Sequence, residues 1–311
     1  MKIFSLIILF FAAMMATANA QPARLKVVTT TPDLAAIVKE IGGDAAVQVE
    51  SLAAGEQNPH FVDAKPSFVL KLMKADFLVV TGMDLEIGWL PPLLQSCANP
   101  KIQADASGFL DASKSIEALE IPSSVSRDGG DVHPFGNPHY MLDPENARKV
   151  AAAIKNKLSE LNPDQMEKFE KNYENFDERL QKKIAEWKKI LAPYQGEKWV
   201  SYHEVYPYFA ERFGFVKVGT IEPKPGIPPT AKHTADLIAQ MQTQKVRMIW
   251  TEPWYESRSA QSIAQKTGAT VISINLMPCA STKTTDYISV IDKMVDQIAQ
   301  ALKQTLNQAL K

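Results

Sequence analysis

Cysteine is nearly missing from this chain: Cys97 and Cys279 are the only two among 311 residues. Two isolated sulfurs give a poor thiolate zinc site. An exported protein could bridge them, but bridging demands close Cα approach, so both are expected to be free and mostly buried. An excess of one charge is missing too. The 34 Lys and Arg are matched by 35 Asp and Glu, leaving a net charge of -1. Phosphate binding needs a basic surface, so a nucleic-acid partner is not expected. No internal repeat of fixed period is present. There is no His-Glu-x-x-His and no Gly-x-Ser-x-Gly. His203-Glu204 begins like the former, but Pro207 stands where its second His belongs. Beyond the first 20 residues no apolar run is long enough to span a membrane.

What is present begins with that N-terminus. Lys2 gives a positive start, Ile3 to Met15 is almost wholly apolar, and Ala18-Asn19-Ala20 is a small-x-small cleavage site. Residues 1–20 therefore read as a signal peptide cleaved after Ala20. No cysteine follows the cleavage site, so no lipid anchor is expected. The mature chain is expected to start at Gln21, outside the cytoplasm, in the periplasm of a cell with two membranes.

The mature chain is organised around Asn162 to Leu191. Asn162 suits a helix cap and Pro163 the first helical position. Met166, Phe169, Tyr173, Phe176, Leu180, Ile184, Trp187 and Leu191 then recur three and four apart, with charged residues opposite. Such a helix is about 40 Å long, longer than one small domain is wide. It reads as a spine over residues 162–193, with one lobe before it (21–161) and another after it (194–311). Each lobe alternates short apolar strands with helices, the pattern of a mainly parallel sheet flanked by helices. The expected fold class is thus α/β, two lobes joined by one long helix. The stretch from Ser107 to Asn137 is rich in Ser, Asp, Gly and Pro and reads as irregular.

In open α/β sheets, ligands bind beyond the carboxyl ends of the strands. His60 lies in a loop after the second strand, His203 directly after the strand that follows the spine, and His139 in a loop before a helix. Glu222 and Glu252 each follow a strand of the second lobe. Three imidazoles with an oxygen suit Zn²⁺, although their spacing matches no local metal motif. His133, in a loop, either delivers metal or is simply solvated, the second being the commoner case, and His233 reads as a surface residue at the start of a helix. Trp250, Trp254, Tyr255, Tyr202, Tyr206 and Tyr208 either wall a cleft or pack the second lobe. Prolines stiffen the Pro225 to Pro229 loop.

Three stretches carry a resemblance: Asn58-Pro59-His60; Asn137-Pro138-His139-Tyr140-Met141-Leu142-Asp143-Pro144; and Ser201-Tyr202-His203-Glu204-Val205-Tyr206-Pro207-Tyr208-Phe209. In that order around a long helix, the chain resembles the zinc/manganese/iron-specific solute-binding proteins of ABC importers. The resemblance covers essentially the whole mature chain. It implies that His60, His139 and His203 hold a metal in the cleft between lobes, that Zn²⁺ (or Mn²⁺ or Fe²⁺) is the transported ligand, and that the partner is a membrane permease. A monomer is expected. The family's usual fourth ligand, a carboxylate after the last strand, is missing here: the stretch reads Ile274-Asn275-Leu276-Met277-Pro278. Glu252 and Glu222 are the substitutes considered, with Asn275 or water as alternatives.

The leading expectation is capture without reaction, with affinity falling as pH drops through about 6.5, the ordinary imidazole pKa. A three-His zinc hydrolase is the second reading. A binding protein for a small organic ligand, using the aromatics as a stacking surface, is the third.

Overall fold

Two wholly parallel four-stranded sheets form the two lobes, in a computed structural model that describes residues 24–124 and 133–309. The expected signal peptide and its cleavage site lie outside the described residues. The first lobe runs β1 (Leu25–Thr29), α1 (Pro32–Gly42), β2 (Val47–Ser51), α2 (Pro66–Met73), β3 (Phe77–Val80), α3 (Leu90–Cys97) and β4 (Phe109–Asp111), with sheet order β2-β1-β3-β4. All four residues of β3 are buried, as expected of a strand covered by helices on both faces. Pro32 starts α1, and Gly43 at φ 68 closes it by donating its N–H to the Lys39 carbonyl. The second lobe repeats this strand order. It comprises β5 (Lys198–Ser201), β6 (Val216–Thr220), β7 (Met248–Thr251) and β8 (Thr270–Ser273), ordered β6-β5-β7-β8. In both sheets the chain steps out to one side and then crosses to the other, which opens a crevice at the carboxyl ends of the central strands.

Two elements of the first lobe escape periodicity. The stretch expected to be irregular contains β4, three residues paired with β3. α3 begins Leu90-Pro91-Pro92 and spans eight residues, too short and too proline-rich to show a helical stripe.

The expected spine is built in three pieces. After a helix from Pro144 to Leu161 (α4), a 3-10 turn covers Pro163–Gln165, the long helix α5 covers Met166–Leu191, and a second 3-10 turn covers Ala192–Tyr194. Asn162 makes no side-chain cap, because Pro163 opens a tighter turn and the α-helix proper begins at Met166. At 26 residues α5 is about 39 Å long. Phe169, Phe176, Leu180, Ile184, Trp187 and Leu191 are buried along it, whereas Met166 is exposed.

The two ends of α5 bind different lobes. Asn172 donates to the Ile41 carbonyl at the end of α1 (2.8 Å). Trp187 Nε1 donates to Asp292 (2.7 Å) on the last helix, Tyr287–Ala309. One apolar cluster runs unbroken from Leu34 and Ile154 through Phe176 and Trp187 to Phe209 and Met294. The lobes thus share a core along the spine and part only toward the strand ends. Tyr287 adds a second tie by donating to the Met141 carbonyl (2.6 Å). Both cysteines are free; Cys97 is buried but Cys279 is only half-buried. Among the described residues no helix is long and apolar enough to cross a membrane.

Candidate metal centre

Three loops bring three imidazoles to one point at the open end of the seam. Asn58-Pro59-His60 follows β2. The Asn58 carboxamide accepts from the His60 backbone N–H (3.0 Å), and the Pro59 carbonyl accepts from Trp89 Nε1 (3.0 Å), so the turn is held on both sides. Asn137-Pro138-His139 is built the same way: Asn137 Oδ1 accepts from the His139 backbone N–H at 3.0 Å. The same oxygen lies 3.0 Å from His139 Nδ1. An amide oxygen can only accept, so Nδ1 carries the proton and Nε2 presents a lone pair. Asn137 is itself fixed by donating to the Glu204 carbonyl (2.8 Å) and to Glu120 (3.1 Å).

His203 follows β5, and its partner comes from the neighbouring strand. Ser201 and Thr220 are paired in register, so His203 and Glu222, each two residues further on, emerge side by side. His203 Nδ1 and Glu222 Oε2 are 2.8 Å apart, both nearly buried. The carboxylate holds the proton on Nδ1 and turns Nε2 toward the other two rings.

His60, His139 and His203 are the group of potential metal ligands found among the described residues, with all three ligand atoms within 4.8 Å of one another. His60 Nε2 and His139 Nε2 are 3.1 Å apart. Ring centroids lie 5.2 Å apart for His60–His139 and for His60–His203, and 5.5 Å apart for His139–His203. Nitrogens at tetrahedral zinc stand about 3.4 Å apart, given Zn–N bonds near 2.05 Å, so the cluster is close to a gripping geometry. Burial, reinforced by the neighbouring imidazoles, holds His60 and His139 well below the usual imidazole range. Both are therefore neutral, the form that ligates.

The two carboxylates considered as a fourth ligand stand apart from this group. Glu222 sits behind His203, bonded to the nitrogen that faces away from the cluster. Glu252, at the end of β7, is 1 % exposed with both oxygens unpartnered, and burial pushes its carboxyl up to about 8. Asn275 turns its amide to the Met277 carbonyl (2.6 Å) and to Cys279 Sγ (3.0 Å). Met277 is buried at an apolar gap between the lobes, lined also by His139, Trp254 and Leu276.

The aromatics divide between the two roles open to them. Trp250 stacks on Trp199 (4.7 Å) with Tyr206 edge-on in the second-lobe core. Tyr255 stacks on Tyr202 (4.2 Å) and tilts toward His203 (6.2 Å), walling the cluster. His233 bonds the Thr220 carbonyl at the start of its helix. His133 differs most from its reading as a solvated residue: it is half-buried with its ring 5.0 Å from His60.

One signal in these stretches was open to sequence reasoning and unused. Asn-Pro-His occurs twice, and each time the Asn orients the His. Glu222 was weighed as a ligand rather than as the partner that its register beside His203 makes it. His133 needed the fold.

Two parallel α/β lobes sharing a spine, with nitrogen ligands converging from three loops where the lobes part, define a two-lobed binding protein with a candidate transition-metal site. The chain belongs to the family described as zinc-uptake complex component A, periplasmic, whose profile matches residues 27–301. It is 28% identical over 297 residues to the zinc-binding lipoprotein AdcA of Streptococcus pneumoniae, covering 92% of this chain but 56% of that protein. The chain thus spans little more than half of AdcA. It is 27% identical to the high-affinity zinc uptake system protein ZnuA of Yersinia pestis, covering 89% of this chain and 91% of the relative. A crystal structure of ZnuA superimposes with TM-score 0.75 at 25% identity, covering 90% of this chain and 99% of that one.

Proposed function

We propose that this protein captures a divalent transition-metal ion, zinc foremost, between its lobes outside the cytoplasm and passes it to the membrane permease of an ABC importer. One observation carries the proposal: three imidazoles, from loops far apart in the chain, converge within 4.8 Å at the seam of two lobes. His60, His139 and His203 are the ligands. Glu222 is the outer carboxylate that fixes His203. Zn²⁺ is favoured over Mn²⁺ because the donors are nitrogens, and Mn²⁺ prefers more oxygen; Fe²⁺ lies between. The names of AdcA and ZnuA, a zinc-binding and a zinc-uptake protein, support the same metal.

Capture without reaction suits the surroundings of the cluster. A hydrolase needs a free carboxylate beside the metal-bound water. Glu222 is committed to His203, Glu204 pairs one oxygen with Lys217 (2.8 Å), and unpartnered Glu252 is not among the groups that converge with the imidazoles. The shared core along α5 favours small rocking of the lobes over wide closure. AdcA is named a lipoprotein, which runs against the expectation of no lipid anchor; a location outside the cytoplasm is common to both.

The test is calorimetric titration of metal-stripped protein with Zn²⁺. One tight site is expected, and His139→Ala is expected to weaken it by orders of magnitude. If a variant lacking all three imidazoles binds zinc as tightly as the parent, the site is elsewhere.

A further inference from the structure

We infer that His133 is a fourth nitrogen ligand, which closes over the ion once the three buried imidazoles have taken it. This rests on the capture reading and concerns how the same site is completed. Its ring stands 5.0 Å from that of His60, as near as His139 and His203 stand (5.2 Å each). Its Nε2 is buried and has no hydrogen-bond partner. A buried imidazole nitrogen without a partner is a standing deficit unless something comes to fill it. The Met83 carbonyl lies beside the same ring. A proton held on Nδ1 by that carbonyl leaves the Nε2 lone pair free for an ion. This is the arrangement found at His139 and His203, where an oxygen on Nδ1 prepares Nε2.

The loop that offers the Met83 carbonyl is held in an unusual shape. Gly82, Met83 and Asp84 all have left-handed backbones, at φ 81, 53 and 60. Side chains at the last two positions disfavour that conformation. It is stabilised by Glu86, whose carboxylate accepts from the Thr81 and Gly82 backbone N–H groups (2.7 and 3.1 Å). A strained turn thus places an acceptor behind an imidazole, as outer partners do at metal sites.

His133 also stands in the way of the ion. It lines the broad cavity beside His60, with Phe61, Asp84 and Trp89. It also lines the smaller one on the far side, with Asn137, His139 and His203. It therefore divides the two openings over the cluster. Its nitrogen is not among the three that lie within 4.8 Å of one another, so ligation requires the ring to turn inward. Turned outward, it leaves the three-nitrogen face open to the broad cavity. Turned inward, it gives a four-nitrogen tetrahedral shell with no water, the closed form of a zinc site.

The test is X-ray absorption at the zinc edge on the full chain loaded with one equivalent of Zn²⁺, for the parent and for His133→Ala, with zinc release to a chelator timed for both. Thermal melting of the metal-free proteins checks that the variant folds, and His133→Gln serves as a second variant of similar bulk. Expected are four imidazole scatterers in the parent, three plus a light oxygen in each variant, and release at least about tenfold faster without His133. Three imidazoles and an oxygen in the parent, or unchanged release in both variants, overturn the inference and leave the three-His site standing. A parent that binds no zinc overturns the capture reading itself.

Discussion

Replacing Glu222 by Gln separates tuning of the ion from support of the fold, because it drives the two in opposite directions. Glu222 Oε2 lies 2.8 Å from His203 Nδ1, and both side chains are nearly buried, at 8% and 6% exposure. Apart from that contact the carboxylate has only a weak one, from the Gly226 N–H at 3.4 Å. A buried charge without a counter-charge is costly. With Zn²⁺ on Nε2, positive charge spreads into the ring and the carboxylate gains a partner. Gln keeps an acceptor oxygen of the same shape, so the tautomer of His203 is preserved while the charge is lost. Outer partners of this kind change metal affinity about 10- to 100-fold, which corresponds to about 1.4 to 2.7 kcal/mol. Glu222→Gln is therefore expected to weaken zinc by that factor while leaving the metal-free melting temperature unchanged or raised. A competition titration against a chromogenic chelator reads the first and calorimetric melting the second. Unchanged zinc affinity would refute the reasoning, as would a loss equal to that of His203→Ala, which would make Glu222 indispensable rather than tuning.

Acid has two expected effects. His60 and His139 are held below the ordinary imidazole value, so protons compete with zinc at these two only at more acid pH than the 6.5 of a free imidazole. Affinity is expected to stay nearly level from pH 8 to 6.5 and to fall below; a tenfold loss already complete at pH 6.5 would contradict it. For the metal-free protein, the unfolded chain takes up protons at these residues near pH 6.5 while the folded one does not, so the melting temperature is expected to decline as pH falls below 6.5. Gly55→Ala tests the contact between lobes. A Cβ there would stand 2.6 Å from Cys279 Cβ and press on the Pro278 carbonyl. Overpacking of about 1–3 kcal/mol is expected, with weaker zinc binding and a slightly larger radius by solution scattering; parent-like values of all three would show that the seam yields. Phe176→Ala, at a fully buried position of the spine, is expected to lose about 3–5 kcal/mol in denaturant unfolding, and a loss below 1 kcal/mol would mean that the helix is not central to the shared core.

What sequence reasoning could reach depended on whether the physics was local. The buried face of α5 was legible because a helix repeats its contacts every three or four residues, and Phe169 to Leu191 keep that period. The strands were legible as short apolar runs, since helices cover them on both faces. β4 was not, because three residues set no period and its place is fixed only by pairing with Leu78 to Val80. The convergence of His60, His139 and His203 was expected from the resemblance rather than from spacing, which carries no trace of it. Asn137 was legible in principle, since an Asx turn onto a residue two further on is a local event. Glu222 was visible as a residue but not as a partner, because its role arises from the β5–β6 register. For His133 the sequence leaves metal delivery and plain solvation both open, and only the fold brings this loop residue beside a ring 73 positions earlier in the chain.

The position of the carboxylates bears most directly on selectivity. A carboxylate bound to the ion supplies hard oxygen and suits Mn²⁺ as well as Zn²⁺; a carboxylate one bond removed, on the far nitrogen of an imidazole, makes that nitrogen a better donor and adds no oxygen. This chain takes the second course at His203, and the loop after β8, where a ligating carboxylate would enter, ends instead in Asn275 turned away to its own loop. Buried Glu252 is not among the groups that converge with the three imidazoles. On the capture reading proposed above, the charge that offsets the ion lies outside its coordination shell. Affinity then depends on how firmly the loops hold the imidazoles, which is why the rigid parts of this protein — the shared core, the doubled Asn-Pro-His turn, the paired strand ends — all end at the three rings.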